Sequence, residues 1–211
     1  MSLRVLILRH GQIKANKEGR WHGSTDSALT WKGRRQAKRT GRFLAKHLAG
    51  SLSAVYASPL QRCRNTASFA TRTWWPGEIQ VHDGLAEMGI GEWENMPFTD
   101  LAKEHNFVGR STQDPDFCAP GGESLNQVAK RTLEAFSQIR AHHTGNNSDE
   151  TPSPQTVMLV SHGVAMSVLL ASLLYDDATK WNEFRLGNCS LTELQVDDVI
   201  LLKELNQTFH L

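Results

Sequence analysis

The stretch Leu3-Arg-Val-Leu-Ile-Leu-Arg9-His10-Gly11 decides which fold this sequence predicts. Its apolar run is typical of a buried strand, and the run stops abruptly at Arg9, His10 and Gly11. The same pattern returns at Thr156-Val-Met-Leu-Val-Ser161-His162-Gly163, where a helical pattern follows. In open α/β sheets, ligands bind in the crevice outside the carboxyl ends of the strands. We therefore expect both histidines to face one crevice.

Strand and helix patterns alternate along the rest of the chain. Helices are predicted over residues 31–48, 60–67, 97–107, 123–143 and 164–174, further strands over residues 53–58, 79–83, 189–196 and 199–205, and a polar loop over residues 12–28. The pair Asp197-Asp198 predicts a hairpin turn between the last two strands. This alternation predicts an α/β protein built as a three-layer sandwich.

Several segments are predicted to lack regular structure. Glycines punctuate residues 84–94, which favours a loop over the site, and residues 108–122 are predicted to be irregular. We expect residues 88–122 to form a lid-like insertion. The stretch around residues 144–155 has the composition of a flexible surface loop. We expect it to be an excursion within a single domain that spans residues 1–211.

Composition limits the function classes. The 211 residues suffice for one domain with a sizeable core, and a formal net charge of +1 argues against nucleic acid or an anionic membrane as a partner. No window approaches the ~20 apolar residues of a membrane span, and no signal peptide is recognisable. Three cysteines without a Cys-x-x-Cys pair favour reduced thiols, so we expect a soluble cytoplasmic protein. Nine histidines lack metal-ligand spacing, and we expect neither a metal nor a cofactor.

Arginine side chains at predicted strand ends indicate an oxyanion ligand. Arg9 and Arg62 each follow a strand, and a guanidinium fork matches phosphate geometry in a bidentate manner. The glycines after both histidines let the backbone approach a ligand, and the helix that begins after His162 adds partial positive charge. A neutral imidazole near phosphorus can act as a nucleophile, and a second one can stabilise charge on the equatorial oxygens.

A leaving alkoxide needs a proton, and Glu87 is the candidate donor. It lies in an apolar, glycine-rich loop, where burial would favour the protonated acid that general acid catalysis requires. From the chemistry alone, Asp83, Glu92 and Glu94 remain alternatives for this role.

A set of motifs accounts for most of these residues at once. The motifs are Arg9-His10-Gly11 with Asn16, Gly19-Arg20-x-x-Gly23-x-x-Asp26-x-x-Leu29-Thr30-x-x-Gly33, Ser58-Pro59-Leu60-x-Arg62-x-x-x-Thr66-Ala67, Leu85-x-Glu87 through Gly91-x-Trp93-Glu94, Pro120-Gly121-Gly122-Glu123-Ser124 and Ser161-His162-Gly163. In this order, and over nearly the whole chain, they resemble the histidine phosphatase (phosphoglycerate mutase-like) superfamily.

The resemblance implies a role for each matched residue. It implies that His10 is the phosphorylated nucleophile and that Glu87 is the proton donor. It also implies that Arg9, Arg62 and His162 complete the phosphate pocket. Further substrate contacts are implied at Asn16, His22, Gly23 and Gly163. The fold implied is an α/β/α sandwich around a mixed, mostly parallel sheet, and no metal is required.

The sequence resembles the short phosphatase branch, which includes broad-specificity and α-ribazole phosphatases. Cofactor-dependent mutases carry an Arg-His-Tyr-Gly run after the acid, whereas Met88-Gly-Ile-Gly91 stands here. His22 replaces a glutamine that is common in those phosphatases, so the contacts with the non-phosphate part of the substrate are open.

We therefore expect a metal-independent phosphomonoesterase that acts on a small phosphorylated metabolite. One alternative is a phosphoglycerate mutase, which would need a bisphosphorylated primer. Another is a non-catalytic phospholigand-binding module, but binding alone needs neither a nucleophile nor an acid. The sequence does not identify the substrate or the oligomeric state, and a homodimer is an open alternative.

Overall fold

The computed structural model describes residues 2–144 and 155–211, so most of the predicted flexible loop lies outside the described residues. The strands are β1 (Leu3–Arg9), β2 (Leu52–Ala57), β3 (Ile79–Val81), β4 (Gln155–Ser161), β5 (Leu191–Val196) and β6 (Ile200–Gln207). They form one sheet in the order β3-β2-β4-β1-β5-β6. The first four strands in that order are parallel, and β5 pairs antiparallel with both β1 and β6. The mixed, mostly parallel sheet is therefore confirmed.

Seven helices accompany these strands in the described residues. They are α1 (Lys14–Glu18), α2 (Trp31–Leu48), α3 (Gln61–Thr71), α4 (Phe98–His105), α5 (Phe107–Gln113), α6 (Leu125–Thr144) and α7 (Gly163–Tyr175). Short 3-10 helices occupy Asp83–Leu85, Gly91–Trp93 and Ala178–Glu183. The start of α2 follows from its cap, because the Thr30 hydroxyl accepts a hydrogen bond from Gly33 N at 3.0 Å.

Alternation along the strands produces a separate core on each face of the sheet. In β1, Leu3, Val5 and Ile7 pack into the core that contains residues of α6 and α7. Leu6 and Leu8 point the other way, into the core that contains residues of α2 and α3. Successive strand side chains point to opposite faces, so a strand covered on both sides must be apolar throughout. The predicted three-layer α/β/α sandwich is confirmed.

Two local predictions were wrong. Residues 108–122 are not wholly irregular, because α5 covers Phe107–Gln113, and α1 lies within the predicted loop 12–28. The reason for α5 is tertiary: Phe107 is buried, and its ring lies 5.2 Å from that of Trp21 and 6.5 Å from that of Trp181. A short polar helix held by one aromatic anchor has little periodicity to detect.

The sheet places the two histidine-bearing strand ends side by side. Strand β1 pairs with β4 in a register that sets Arg9 opposite Ser161. Just beyond this pair, His10 N donates to Ser161 O at 2.9 Å. His10 and His162 therefore lie at the same edge of the sheet, just after the ends of two adjacent strands. In the described parts of the chain, no helix is long and apolar enough to cross a membrane.

Candidate active site

His10 is buried at the end of β1 and faces a cavity with one ring nitrogen free. Its Nδ1 lies 2.8 Å from Gly11 O, a carbonyl that can only accept, so Nδ1 carries the proton. The lone pair is therefore on Nε2. Burial, followed by the charges of Arg9 and Arg62, holds the pKa of His10 well below 6.5. This imidazole is neutral at neutral pH, which is the form a nucleophile needs.

Arg9 lies beside His10 and has hydrogen-bonding capacity left over. Its Nη1 donates to Leu186 O, while its buried Nε has no partner among the described residues. A Cβ added at Gly163 would lie 3.3 Å from the Arg9 guanidinium, so the start of α7 approaches this group closely. Burial lowers the pKa of Arg9 and Glu87 opposes the shift. A buried donor without a partner is uncommon, so this nitrogen is a candidate contact for a ligand in the cavity.

Glu87 reaches the same cavity from the glycine-rich loop. Its Oε1 accepts from Met88 N at 2.9 Å and from Ala165 N at 2.8 Å, and its Oε2 accepts from Val164 N at 3.2 Å. The carboxyl group therefore sits on the first turn of α7, where backbone N–H groups lack intrahelical partners. Oε2 has only the one long contact and keeps a lone pair for a proton.

The structure separates Glu87 from its three rivals. Glu87 lines the cavity, whereas Asp83 and Glu92 are exposed and do not. Glu94 is turned away from the cavity and accepts from Gly23 N at 3.1 Å and Ser24 N at 2.9 Å. Burial acts to raise the pKa of Glu94, but hydrogen bonds from Thr25 and Ser24 outweigh burial, and the pKa is lowered from its ordinary value.

His162 is buried beside His10, with the two ring centroids 5.2 Å apart. Its Nδ1 accepts from Arg62 Nε at 3.1 Å, and its Nε2 lies 2.7 Å from Ser58 Oγ. A guanidinium can only donate, so the ring proton is on Nε2 and is donated to Ser58. Burial and the charge of Arg62 hold the pKa of His162 well below 6.5. Both nitrogens of this neutral ring are occupied.

Arg62 is fully buried behind the two histidines. Besides His162, it donates to the carbonyl oxygens of Thr25 and Gly23, both at 2.7 Å, and of His22 at 3.3 Å. Its hydrogen bonds thus tie the loop 22–25 to the rest of the site. Gly23 is required in that loop, because a Cβ there would come within 2.2 Å of Met88 O.

Asn16 presents an amide to the cavity. Its Oδ1 accepts from Ile13 N at 3.2 Å and from Asn188 Nδ2 at 3.0 Å. Both contacts use the carbonyl end, so the NH₂ group of Asn16 remains for a ligand. Asn188 also donates to His10 O at 3.1 Å and thereby ties Asn16 to the end of β1.

The cavity has a volume of about 460 Å³. Six of the predicted site residues line it: Arg9, His10, Asn16, His22, Glu87 and Gly163. Arg62, His162 and Gly23 do not line it. The outer walls are largely aromatic and come from Trp21, Phe98, Trp181 and Phe184. In the described residues, no cluster of three or more His, Cys, Asp or Glu side chains could hold a metal ion.

The sequence of motifs that builds this site is that of a known family. The model of the histidine phosphatase superfamily (branch 1) matches residues 5–206. The chain belongs to the histidine phosphatase superfamily.

Relatives in this superfamily include phosphatases and mutases. A bifunctional protein of Mycobacterium tuberculosis is 32% identical over 213 residues, which are 99% of this chain and 55% of that protein. This chain thus spans about half the length of that relative. The probable phosphoglycerate mutase GpmB of Salmonella choleraesuis is 30% identical over 200 residues, 93% of this chain and 86% of the relative.

A solved structure gives the same likeness in three dimensions. A mycobacterial glucosyl-3-phosphoglycerate phosphatase, in complex with VO3, superposes with a TM-score of 0.82 at 26% identity, covering 96% of this chain and 98% of that one. This chain thus resembles that phosphatase in both architecture and sequence.

Several residues of this site were not predicted from the sequence. Asn188 carries no motif signal, because it lies in an irregular segment far from the strand end that it supports. The outer wall from Trp181 to Leu186 was also missed. Phe184 and Leu186 are buried and Arg185 between them is exposed, but an alternation of three residues is too short to predict that this segment lines the cavity.

Proposed function

We propose that this protein hydrolyses a small-molecule phosphomonoester through a phosphohistidine on His10. The observation that carries the proposal is the environment of the His10 Nε2 lone pair. It faces a cavity that also receives the Glu87 carboxyl group and an Arg9 guanidinium with an unpartnered, buried Nε. A neutral nucleophile, a fixed cation and an acid meet in one place.

The substrate phosphoryl group would lie in the cavity beside Arg9 and the start of α7. Donors available there are Arg9 Nε, the Asn16 amide and Gly163 N, which donates to no protein acceptor in the described residues. Such preorganised donors stabilise the charge that develops on the equatorial oxygens. The helix N-terminus adds partial positive charge to the same position.

Two displacements complete the reaction. In the first, His10 Nε2 forms a bond to phosphorus, the P–O ester bond breaks, and Glu87 gives its proton to the leaving alkoxide. In the second, Glu87 accepts a proton from water while the oxygen of that water bonds to phosphorus and the N–P bond breaks. Inorganic phosphate and neutral His10 are regenerated.

Arg62 and His162 support this reaction from behind His10. The charge of Arg62 contributes to keeping His10 neutral, and His162 accepts from Arg62 and so fixes its guanidinium. A direct contact of either side chain with the phosphate stays a prediction. His22 lines the cavity, and we expect it to contact the alcohol part of the substrate, while the carbonyl of Gly23 accepts from Arg62.

The likeness to GpmB favours one second candidate, a phosphoglycerate mutase. A mutase passes the phosphoryl group from His10 to a second hydroxyl, whereas a phosphatase passes it to water. Incubation with 3-phosphoglycerate, with and without 2,3-bisphosphoglycerate, separates the two. We expect free phosphate to form in both cases; 2-phosphoglycerate formed only with the bisphosphate would favour the mutase.

The decisive experiment traps the intermediate. A panel of metabolite phosphates first identifies a substrate by phosphate release. Wild-type protein is then mixed with that substrate, labelled on its phosphoryl group, and the reaction is stopped without acid. We expect a phosphoprotein that is labile in acid and stable in base, with the label on His10. Phosphate release without such a species would overturn the mechanism, and ligand binding without phosphate release would favour the non-catalytic module.

A further inference from the structure

The substrate cavity contains more than a phosphate site. A volume of about 460 Å³ is within the range of pockets that enclose whole small-molecule ligands. The charged side chains that line it are Arg9, Arg20, Glu87 and Arg185. Arg9 and Glu87 belong to the reacting centre, which leaves two cations for the rest of the substrate.

Of these two cations, one is already occupied by the protein. Arg20 donates to Asn95 O at 2.8 Å and lies 3.8 Å from the Glu18 carboxylate. The Arg185 side chain makes no hydrogen bond or ion pair with any described residue. The guanidinium of Arg185 therefore keeps its donors for a ligand.

The backbone that carries Arg185 is fixed on both sides. Ser167 Oγ donates to Phe184 O, and Arg9 donates to Leu186 O. Phe184 and Leu186 are buried, while Arg185 is exposed between them. An anchored backbone with a free, cavity-lining cation is a preorganised recognition element.

We propose that Arg185 binds a carboxylate on the non-phosphate part of the substrate. Arg9, at the reacting centre, and Arg185 line the same cavity. One substrate bound there can contact both side chains, so the substrate class is a phosphomonoester that also carries a carboxylate. A single guanidinium matches one carboxylate, whereas the phosphate dianion is met by Arg9 and the start of α7. The proposal rests on the proposed phosphatase function.

Matched substrates test this assignment. The pair 3-phosphoglycerate and glycerol 3-phosphate differs in one carboxylate, as does the pair phosphoserine and phosphoethanolamine. We expect wild-type protein to prefer the carboxylate member of each pair. Arg185→Gln should reduce that preference about tenfold through KM with kcat retained, the low end for a charged hydrogen bond because Arg185 is exposed. Arg185→Lys keeps the charge but not the forked guanidinium, so its carboxylate preference should lie between those of the wild type and Arg185→Gln.

The control is Arg35→Gln, which removes the same charge from a position stacked on Trp31 of α2. It should leave the preference unchanged. Equal losses on both members of a pair in Arg185→Gln, or no preference in the wild type, would overturn the proposal.

A second arm does not depend on turnover. Calorimetry of both pairs with the His10→Ala variant, with and without Arg185→Gln, measures the carboxylate preference by binding alone. If no phosphate and no phosphoenzyme form with any ester, the proposed function fails, and this binding comparison still decides the role of Arg185.

A different set of contacts carries an independent inference about Glu87. Arg131 of α6 donates to the Glu123 carboxylate at 2.7 and 2.9 Å. The same guanidinium donates to three carbonyl oxygens of the loop, at 3.1 Å to Gly84, 2.8 Å to Ala86 and 3.1 Å to Glu87. Beyond Glu87, the Glu123 carboxylate accepts from Gly89 N at 2.9 Å.

We infer that Arg131 and Glu123 are positioning residues that fix the proton donor. Together they hold the chain on both sides of Glu87, and the fork of one arginine serves five acceptors. The inference rests on the proposed role of Glu87. Misplacing a reacting group by about 1 Å can cost about 10²-fold.

The readout is dependence on the leaving group. Arg131→Gln should slow an alkyl phosphate about 10- to 100-fold and para-nitrophenyl phosphate much less, because phenolate leaves without a proton. In a Glu87→Gln background, Arg131→Gln should add little. Arg140→Gln is the control, since Arg140 lies on the same helix but donates to Asp197 O at 2.7 Å. Equal losses on both esters, or full additivity, would show a merely structural role.

Discussion

The two strand ends of this site share a sequence pattern but not an environment. His10-Gly11 follows β1 and His162-Gly163 follows β4, on adjacent parallel strands. At the first end, Nδ1 is bound to Gly11 O and Nε2 is free toward the cavity. At the second, Arg62 and Ser58 occupy both nitrogens.

The glycines differ in the same way. A Cβ at Gly11 would lie 2.6 Å from Gly33 O of α2, so this glycine lets two parts of the backbone pack together. A Cβ at Gly163 would lie against the Arg9 guanidinium. One strand end thus presents a free ring nitrogen to the cavity, whereas the ring nitrogens at the other are bound by Arg62 and Ser58. The shared pattern places two histidines together, and their neighbours decide what each can do.

The largest expected effect separates the two histidines directly. His10→Ala should abolish turnover and phosphoenzyme formation, a loss of about 10⁴-fold or more for removal of a nucleophile. Vanadate should still bind weakly through Arg9, which keeps its unpartnered Nε. The measurements are phosphate release and acid-labile label, together with vanadate titration. Turnover retained in His10→Ala would refute the nucleophile.

Removal of the proton donor should give the next largest effect. Glu87→Gln should slow alkyl phosphates by about 10²–10⁴-fold and para-nitrophenyl phosphate much less, because only the alkoxide needs a proton. Asp83→Asn and Glu92→Gln are matched controls, since both side chains are exposed and outside the cavity. A leaving-group-dependent loss in either control would move the assignment away from Glu87.

His162→Gln should have a smaller effect, because in this structure His162 acts through Arg62. We expect losses of about 10- to 100-fold, the scale of one hydrogen bond to a charged group, with equal size on both kinds of ester. The phosphoenzyme should still form. Its absence would mean that His162 is as necessary as His10 and that the two ends do not differ as described.

The comparison also shows how far sequence reasoning reaches. Apolar runs and glycines predicted the strands, the proximity of the two histidines and the three layers, because burial on both faces of a strand leaves a distinct pattern. They did not predict that only His10 lines the cavity. The resemblance assigned residues such as Asn16 and Glu87. The occupancy of individual nitrogens could not be predicted, because it depends on partners such as Ser58 and Arg62 that lie about 100 positions away.

The smallest expected effect concerns stability in acid. His10 and His162 are buried with pKa values held well below 6.5, whereas the unfolded chain protonates histidine near 6.5. Below pH 6.5 the unfolded state therefore binds more protons, so the free energy of unfolding falls as pH falls toward the folded-state pKa values and levels off above pH 6.5. Each histidine contributes a slope of about 1.4 kcal/mol per pH unit in that window.

Urea unfolding of single variants between pH 7.5 and pH 5 measures these slopes. His10→Gln and His162→Gln should each reduce the slope by about 1.4 kcal/mol per pH unit, while exposed His47→Gln serves as the mutagenesis control. The two ends should behave alike here even though they differ in catalysis, because both rings are buried and neutral. A variant that leaves the slope unchanged would show that its histidine takes up a proton in the folded protein, and a charged His10 could not act as the nucleophile.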